Sequence, residues 1–296
     1  MKMSMKCRVL SVILAAAVLL PAHVFPLDEE EARLEELLRY MKNPPKEEYP
    51  TQEIYLKNGF LYCTGDSTAA VENNKACELM EKGDFKSAAK VLKEGLKNSA
   101  LFFPFQYNIG MCYLYRDRLK RALNHFNKAR QIVPEFSKTY LQMGYIYDRM
   151  NLDNNAIYYF REGIKHNVKE LETFVMIGDI FFKRHQLEMA QKYYNAALSV
   201  DYRLPNGILG MAKIQFKRGN YIKAIVLLKG IDTAKKEYDK ALHYYYAESA
   251  FKLRDYKTAA EQYTILLKHR NDRFFLTNSP ALIEHKLNLS NRFAEF

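Results

Sequence analysis

The chain has 296 residues with 45 Lys plus Arg against 34 Asp plus Glu, a formal net charge of +11. Apolar residues make up 48%, and 22 Tyr and 18 Phe supply ample material for a packed core, which excludes wholesale disorder. Twelve Gly and nine Pro are too few for an all-β chain rich in tight turns, and four Cys are too few for a disulfide framework.

Residues 1–26 are read as a secretory signal peptide. Lys2, Lys6 and Arg8 precede an apolar run from Val9 to Leu20, too short for the roughly 20 residues of a membrane-spanning helix. Cleavage releases the mature chain; retention would leave an N-terminal anchor. The segment 27–50 reads as an acidic amphipathic helix followed by a Pro-containing linker. Asp28, Glu29, Glu30 and Glu31 suit a helix N-terminus, and Leu34, Leu37, Leu38 and Met41 form one apolar stripe before Asn43-Pro44-Pro45. The stripe has two readings, packing on the rest of the chain or docking to another protein. Residues 51–68 are read as a connecting segment.

From there a period appears. Ala88, Ala122, Ala156, Ala190, Ala224 and Ala259 are spaced 34, 34, 34, 34 and 35 residues apart. Twelve residues before each stands a small residue: Ala76, Gly110, Gly144, Gly178, Ala212 and Ala247. Four residues after each stands a large one: Leu92, Phe126, Phe160, Tyr194, Leu228 and Tyr263. Each unit carries two stretches with apolar residues at helical spacing, joined by a short polar turn such as Arg116-Asp117-Arg118. Small residues let two helices cross closely, and the large residue fills the space beside the crossing. A single hairpin cannot cover its own apolar face, so the units must stack.

These residues resemble the tetratricopeptide repeat family. Gly110, Tyr113, Ala122, Phe126, Ala129 and Pro134 match its small–aromatic signature best, and Tyr140, Gly144, Tyr147 and Phe174, Gly178, Phe181 follow in the next two units. The resemblance implies an all-α fold, a right-handed superhelical solenoid of about six helical hairpins. Their expected limits are 69–102, 103–136, 137–170, 171–204, 205–238 and 240–273. Ser279-Pro280 then opens a capping helix in residues 274–296, whose segment 280–293 carries Leu282, Ile283, Leu287, Leu289 and Phe293.

No sequence motif of catalysis is present: the chain lacks phosphate-binding glycine loops, a nucleophile elbow and the H-E-x-x-H metal pattern. The histidines are scattered, and Cys63, Cys77 and Cys112 have no partners at zinc-ligand spacing. The expectation is therefore a non-enzymatic chain without cofactor or metal. In the family the first helix of each unit lines a concave groove. The resemblance places Tyr107, Met111, Lys138, Leu141, Tyr145 and Asp148 there, followed by Val175, Asp179, Leu209, Lys213, Tyr244 and Glu248. Aromatic residues interleaved with single charges suit an extended peptide or a partner helix. Family members that grip chaperone carboxylates carry a clamp of Lys, Asn, Asn, Lys and Arg. The matching positions here hold Asn73, Cys77, Asn108, Lys138 and Gln142, which disfavours that partner class.

The functional expectation is a scaffold or adaptor for protein–protein interaction in the periplasm or cell envelope of a bacterium, binding a protein or peptide and no nucleic acid. Two rivals stand beside it. One is an accessory subunit of an envelope or motor complex docking through the N-terminal helix; the other is a small-ligand or glycan receptor using the aromatic groove. Peripheral or N-terminal membrane association fits the leader and the basic balance.

Overall fold

A computed structural model describes residues 27–42, 54–167, 170–231, 240–268 and 278–294. The leader 1–26, the linker after residue 42 and the stretches 232–239 and 269–277 lie outside the described residues, as does the side chain of Met41. The chain divides into two compact units between Glu170 and Leu171.

The first unit opens with α1 (Leu27–Lys42) and a two-stranded antiparallel hairpin, β1 (Ile54–Lys57) and β2 (Phe60–Cys63). Three helical hairpins follow: α2 (Thr68–Glu81) with α3 (Phe85–Asn98), α4 (Phe103–Tyr115) with α5 (Leu119–Ile132), and α6 (Ser137–Arg149) with α7 (Asp153–His166). The second unit holds α8 (Leu171–Lys183) with α9 (Leu187–Val200), α10 (Pro205–Lys217) with α11 (Tyr221–Lys229), and α12 (Lys240–Lys252) with α13 (Tyr256–Leu267). The last helix, α14 (Pro280–Ala294), lies on α13. Its Ile283 is buried among Ala247, Ala250, Ala259, Tyr263 and Leu266.

The periodic small and large residues meet as helix-crossing geometry requires. A Cβ on Gly110 would lie 2.9 Å from the Phe126 ring, one on Gly144 2.5 Å from Phe160, and one on Gly178 2.6 Å from Tyr194. Those glycines therefore admit the ring of the partner helix in their own hairpin, and a side chain there would push it out.

A second periodicity lies in the turns. Gly83, Asp117, Asn151, His185, Gly219 and Arg254 all have positive φ, between 56° and 81°. Each sits between the two helices of its hairpin, where the left-handed residue reverses the chain and frees the next residue to begin the second helix. Asp84 and Asp255 occupy that next position and accept from the amides of Ser87 and Thr258 at 3.0 and 3.2 Å. Gly83 and Gly219 adopt the left-handed region freely and Asp117 and Asn151 tolerate it, whereas His185 and Arg254 hold it without that advantage.

Residues 51–68, expected only to connect, contain the β-hairpin. Asn58 and Gly59 have φ of 53° and 82°, the signs a two-residue turn of the hairpin-favouring type demands. Phe60 is buried at an angle against Phe85 and Tyr115, with ring centroids 6.5 and 5.7 Å away. The Lys57 ammonium and the Asn58 amide both reach Glu81 at 3.1 Å, fastening the turn to α2.

Candidate functional site

The hairpin lies through β2 on α2 and α4, the first helices of the first two helical hairpins. The strand register pairs Leu56 with Leu61 and Ile54 with Cys63 across positions that do not exchange backbone bonds, so Leu61 and Cys63 turn their amide and carbonyl groups away from β1. Three asparagine side chains receive them. Asn108 Oδ1 accepts the Leu61 amide at 3.0 Å, and the Leu61 carbonyl accepts from Asn73 Nδ2 at 2.6 Å and Asn108 Nδ2 at 2.8 Å. Asn74 holds Cys63 in both directions, at 2.9 Å to its amide and 2.7 Å to its carbonyl. Asn108 also donates to Asn73 Oδ1 at 2.9 Å, tying α4 to α2.

A carboxamide carries one acceptor and two donors, which suits it to substitute for a neighbouring strand. Asn73 and Asn108 are fully buried, and losing Asn108 would orphan the Leu61 amide. The Cys77 thiol donates to the same Leu61 carbonyl at 3.2 Å. Asn73, Cys77 and Asn108 are positions of the degenerate carboxylate clamp. Here they grip the main chain of an extended segment, and the segment belongs to the protein itself. The sequence signal for it was the Asn58-Gly59 dipeptide between two short apolar runs, and Asn74 gave none.

Cys63, Cys77 and Cys112 are buried and form no disulfide with one another. Burial pushes the Cys77 thiol far up, and the neighbouring Cys63 and Cys112 add to the shift. Burial raises Cys112 to about 12. Neither supplies a thiolate near neutral pH. Among the described residues no group of three His, Cys, Asp or Glu side chains is placed to hold a metal ion.

The remaining groove candidates separate by what covers them. Tyr107 is wholly buried, with Phe126 and Phe136 edge-on at 5.4 and 5.6 Å, so it packs α4 against its neighbours. Met111 is buried and its terminal methyl would lie 3.7 Å from a Cβ on Gly59, which places it beneath the β-turn. Val175 is buried on α8, and Leu209 is buried in an apolar cluster with Ala212, Leu228 and Leu242. Leu141 lies against α7, where its branch would meet a Cβ on Gly163 at 2.6 Å.

Charges at these positions are mostly engaged. Lys138 pairs with Glu170, and Asp148 also has a partner. Asp179 receives Lys213 at 2.8 Å and the Tyr194 hydroxyl at 2.8 Å. Glu248 is buried and takes Lys286 and the Tyr263 hydroxyl. Tyr244 is half-buried beside Tyr245. Tyr145 is 41% exposed on α6, with the Arg149 guanidinium over its ring at 5.7 Å.

The N-terminal helix is covered by its own chain. Leu34 and Leu37 are buried, Leu38 is half-buried, and α1 lies on α7. Glu30 forms a buried ion pair with Arg161, and Glu36 meets Lys165 at 3.5 Å. The central leucines of the stripe are therefore not a free face.

Antiparallel helix pairs repeating at a fixed interval, each crossing a small residue over a large one, define an α-helical repeat protein. The chain carries tetratricopeptide repeats: family models described as tetratricopeptide repeat match residues 73–135 and 171–203. It is 20% identical over 263 residues to the TPR repeat-containing protein YpiA of Bacillus subtilis, covering 83% of this chain and 61% of that protein. It therefore spans about three-fifths of that relative. The same comparison gives 26% identity over 111 residues to the CTR9 homolog of Arabidopsis thaliana, only 10% of that protein.

Solved structures share the fold. PilW, a widely conserved type IV pilus biogenesis factor, aligns with a TM-score of 0.60 at 16% identity over 76% of this chain and 99% of that one. PilF of Pseudomonas aeruginosa aligns at 0.59 and 15% identity, over 69% and 92%. A tetratricopeptide repeat protein of Parabacteroides merdae aligns at 0.57 and 16%, over 75% and 98%.

Proposed function

We propose that this protein is a non-catalytic scaffold that holds extended segments of protein partners along the inner faces of its helical hairpins. The observation that carries this reading is the grip of Asn73 and Asn108 on both backbone groups of Leu61. A surface that binds main chain rather than a particular side chain is suited to strands of varied sequence. With β2 filling the start of the groove, the free part begins on α6, where Tyr145 offers an exposed ring.

The apolar run Val9–Leu20 behind Lys2, Lys6 and Arg8 supports export to the cell envelope, as a cleaved chain or one held by its leader. PilW, a solved structure of similar fold, is described as a type IV pilus biogenesis factor, and assembly in an envelope complex is consistent with that likeness. Docking through the N-terminal helix draws less support, because Leu34 and Leu37 are already covered.

A photo-crosslinking residue at Tyr145, compared in living cells with one at the exposed Ile222 on α11, tests the reading. Protein adducts at Tyr145 that are absent at Ile222 are expected. Equal capture at both, or none at Tyr145, would overturn the groove as the binding surface. Recovery of the chain only from the cytosol would overturn export.

A further inference from the structure

The α3–α5 surface concentrates positive charge that no carboxylate among the described residues neutralises. Three cations surround one ring: Lys93 lies 5.1 Å, Arg121 5.8 Å and Arg116 6.0 Å from the centroid of Tyr113. Lys93 also bonds the Tyr113 hydroxyl at 2.6 Å, and this contact is the main reason the hydroxyl titrates below its ordinary value. Beside the ring, Arg118, Lys120 and Arg121 line a cleft of about 460 Å³ with Asp117, Leu119 and Met150.

The one acid in that cleft is committed elsewhere, Asp117 to Arg149 at 2.8 Å. Among the described residues, Lys93, Arg116, Arg118, Lys120 and Arg121 have no carboxylate partner. A ring face attracts cations, yet it does not cancel their mutual repulsion, and no carboxylate among the described residues offsets the cluster, which leaves it suited to an anion from outside. Tyr113 stands five residues after Asn108 on α4, so it points about 140° away from the groove.

We propose that this surface binds an acidic segment of a partner protein, carboxylates meeting the basic wall and an apolar side chain entering over Leu119 and Met150. Leu119 and Met150 are recessed between the basic side chains. A membrane-seeking face presents its apolar groups outermost, so the geometry favours a polypeptide over a bilayer. The guanidinium forks of Arg118 and Arg121 suit carboxylates. This surface is separate from the groove, and its failure would leave the groove reading untouched.

The test uses the full chain, a fluorescein-labelled peptide of alternating glutamate and leucine, and vesicles of phosphatidylcholine containing phosphatidylglycerol. Peptide binding that weakens with salt, and about tenfold more in an Arg118→Gln/Arg121→Gln double variant, is the expected result. An equivalent Lys223→Gln/Lys229→Gln change on α11 should leave it unaltered, and unchanged helical circular dichroism confirms that both variants fold. Peptide binding indifferent to Arg118 and Arg121 would overturn the proposal. So would vesicle binding that depends on those arginines and outcompetes the peptide.

Discussion

The Tyr263 hydroxyl donates to Glu248 Oε1 at 2.7 Å, just as the Tyr194 hydroxyl donates to Asp179 Oδ1 at 2.8 Å, each across fifteen residues. Both tyrosines are raised well above the ordinary phenol value, by burial first and then by the carboxylate beside them. A lysine from a later helix completes each set, Lys213 for Asp179 and Lys286 for Glu248. The acid thus joins its own hairpin to the element stacked upon it.

The two sets differ in burial, and that difference fixes their worth. Glu248 is 6% exposed and Lys286 23%, so Lys286→Met leaves a buried carboxylate without its cation and should cost about 3 kcal/mol in urea unfolding. Asp179 is 46% exposed, and Lys213→Met should cost no more than about 1 kcal/mol. Equal losses would show that position in the stack, not burial, governs these pairs.

His125 should make the fold acid-sensitive. Its imidazole stacks on Tyr113 at 5.5 Å, bonds Gln106 at 2.9 Å, and is lowered to about 4 by burial, then by the charges of Lys128 and Lys93. The folded state therefore binds this proton less readily than the unfolded chain, whose ordinary value is 6.5. Its contribution is intact above pH 6.5 and is lost as the pH falls toward 4. Between pH 7 and 4 the natural chain should lose about 2 kcal/mol more than a His125→Phe variant, allowing for partial exposure. Parallel pH profiles would contradict this.

Arg254 reverses its hairpin at φ 62°, a conformation Gly83 and Gly219 adopt freely in equivalent turns. Arg254→Gly should therefore stabilise the chain by about 0.5–1 kcal/mol, the gain from relieved strain exceeding the entropy a glycine adds to the unfolded state. A loss of stability would show that the arginine side chain matters more than the backbone.

Gly144 gives the sharpest packing test. A Cβ there would fall 2.5 Å from Phe160, so Gly144→Ala should cost about 1–3 kcal/mol, and Phe160→Leu in the same chain should recover part of it. Additive losses would mean that the two residues do not meet as described.

The repeat was legible because its rule is local: Gly110 and Phe126, or Gly178 and Tyr194, recur at fixed offsets that only a helix crossing explains. The groove was legible only as a helical face. The resemblance says which side Tyr107 or Met111 occupies, not whether a ring such as Phe136 or a turn such as Gly59 will cover it. The hairpin that covers Met111 carried its own signal in Asn58-Gly59. Its grip by Asn73, Asn74 and Asn108 needs contacts across up to 47 residues, and no sequence period encodes them. Glu248 shows the same limit, since its cation, Lys286, lies in the terminal helix and not in the adjoining repeat.

Hydrogen exchange at the amide of Leu61 tests the groove grip most directly. That amide is bonded to Asn108 Oδ1 at 3.0 Å, so it should exchange as slowly as the core of α4 and become at least about a hundredfold faster in Asn108→Ala. Exchange at the rate of an open loop in the natural chain, or protection unchanged by removing the asparagine, would contradict the account.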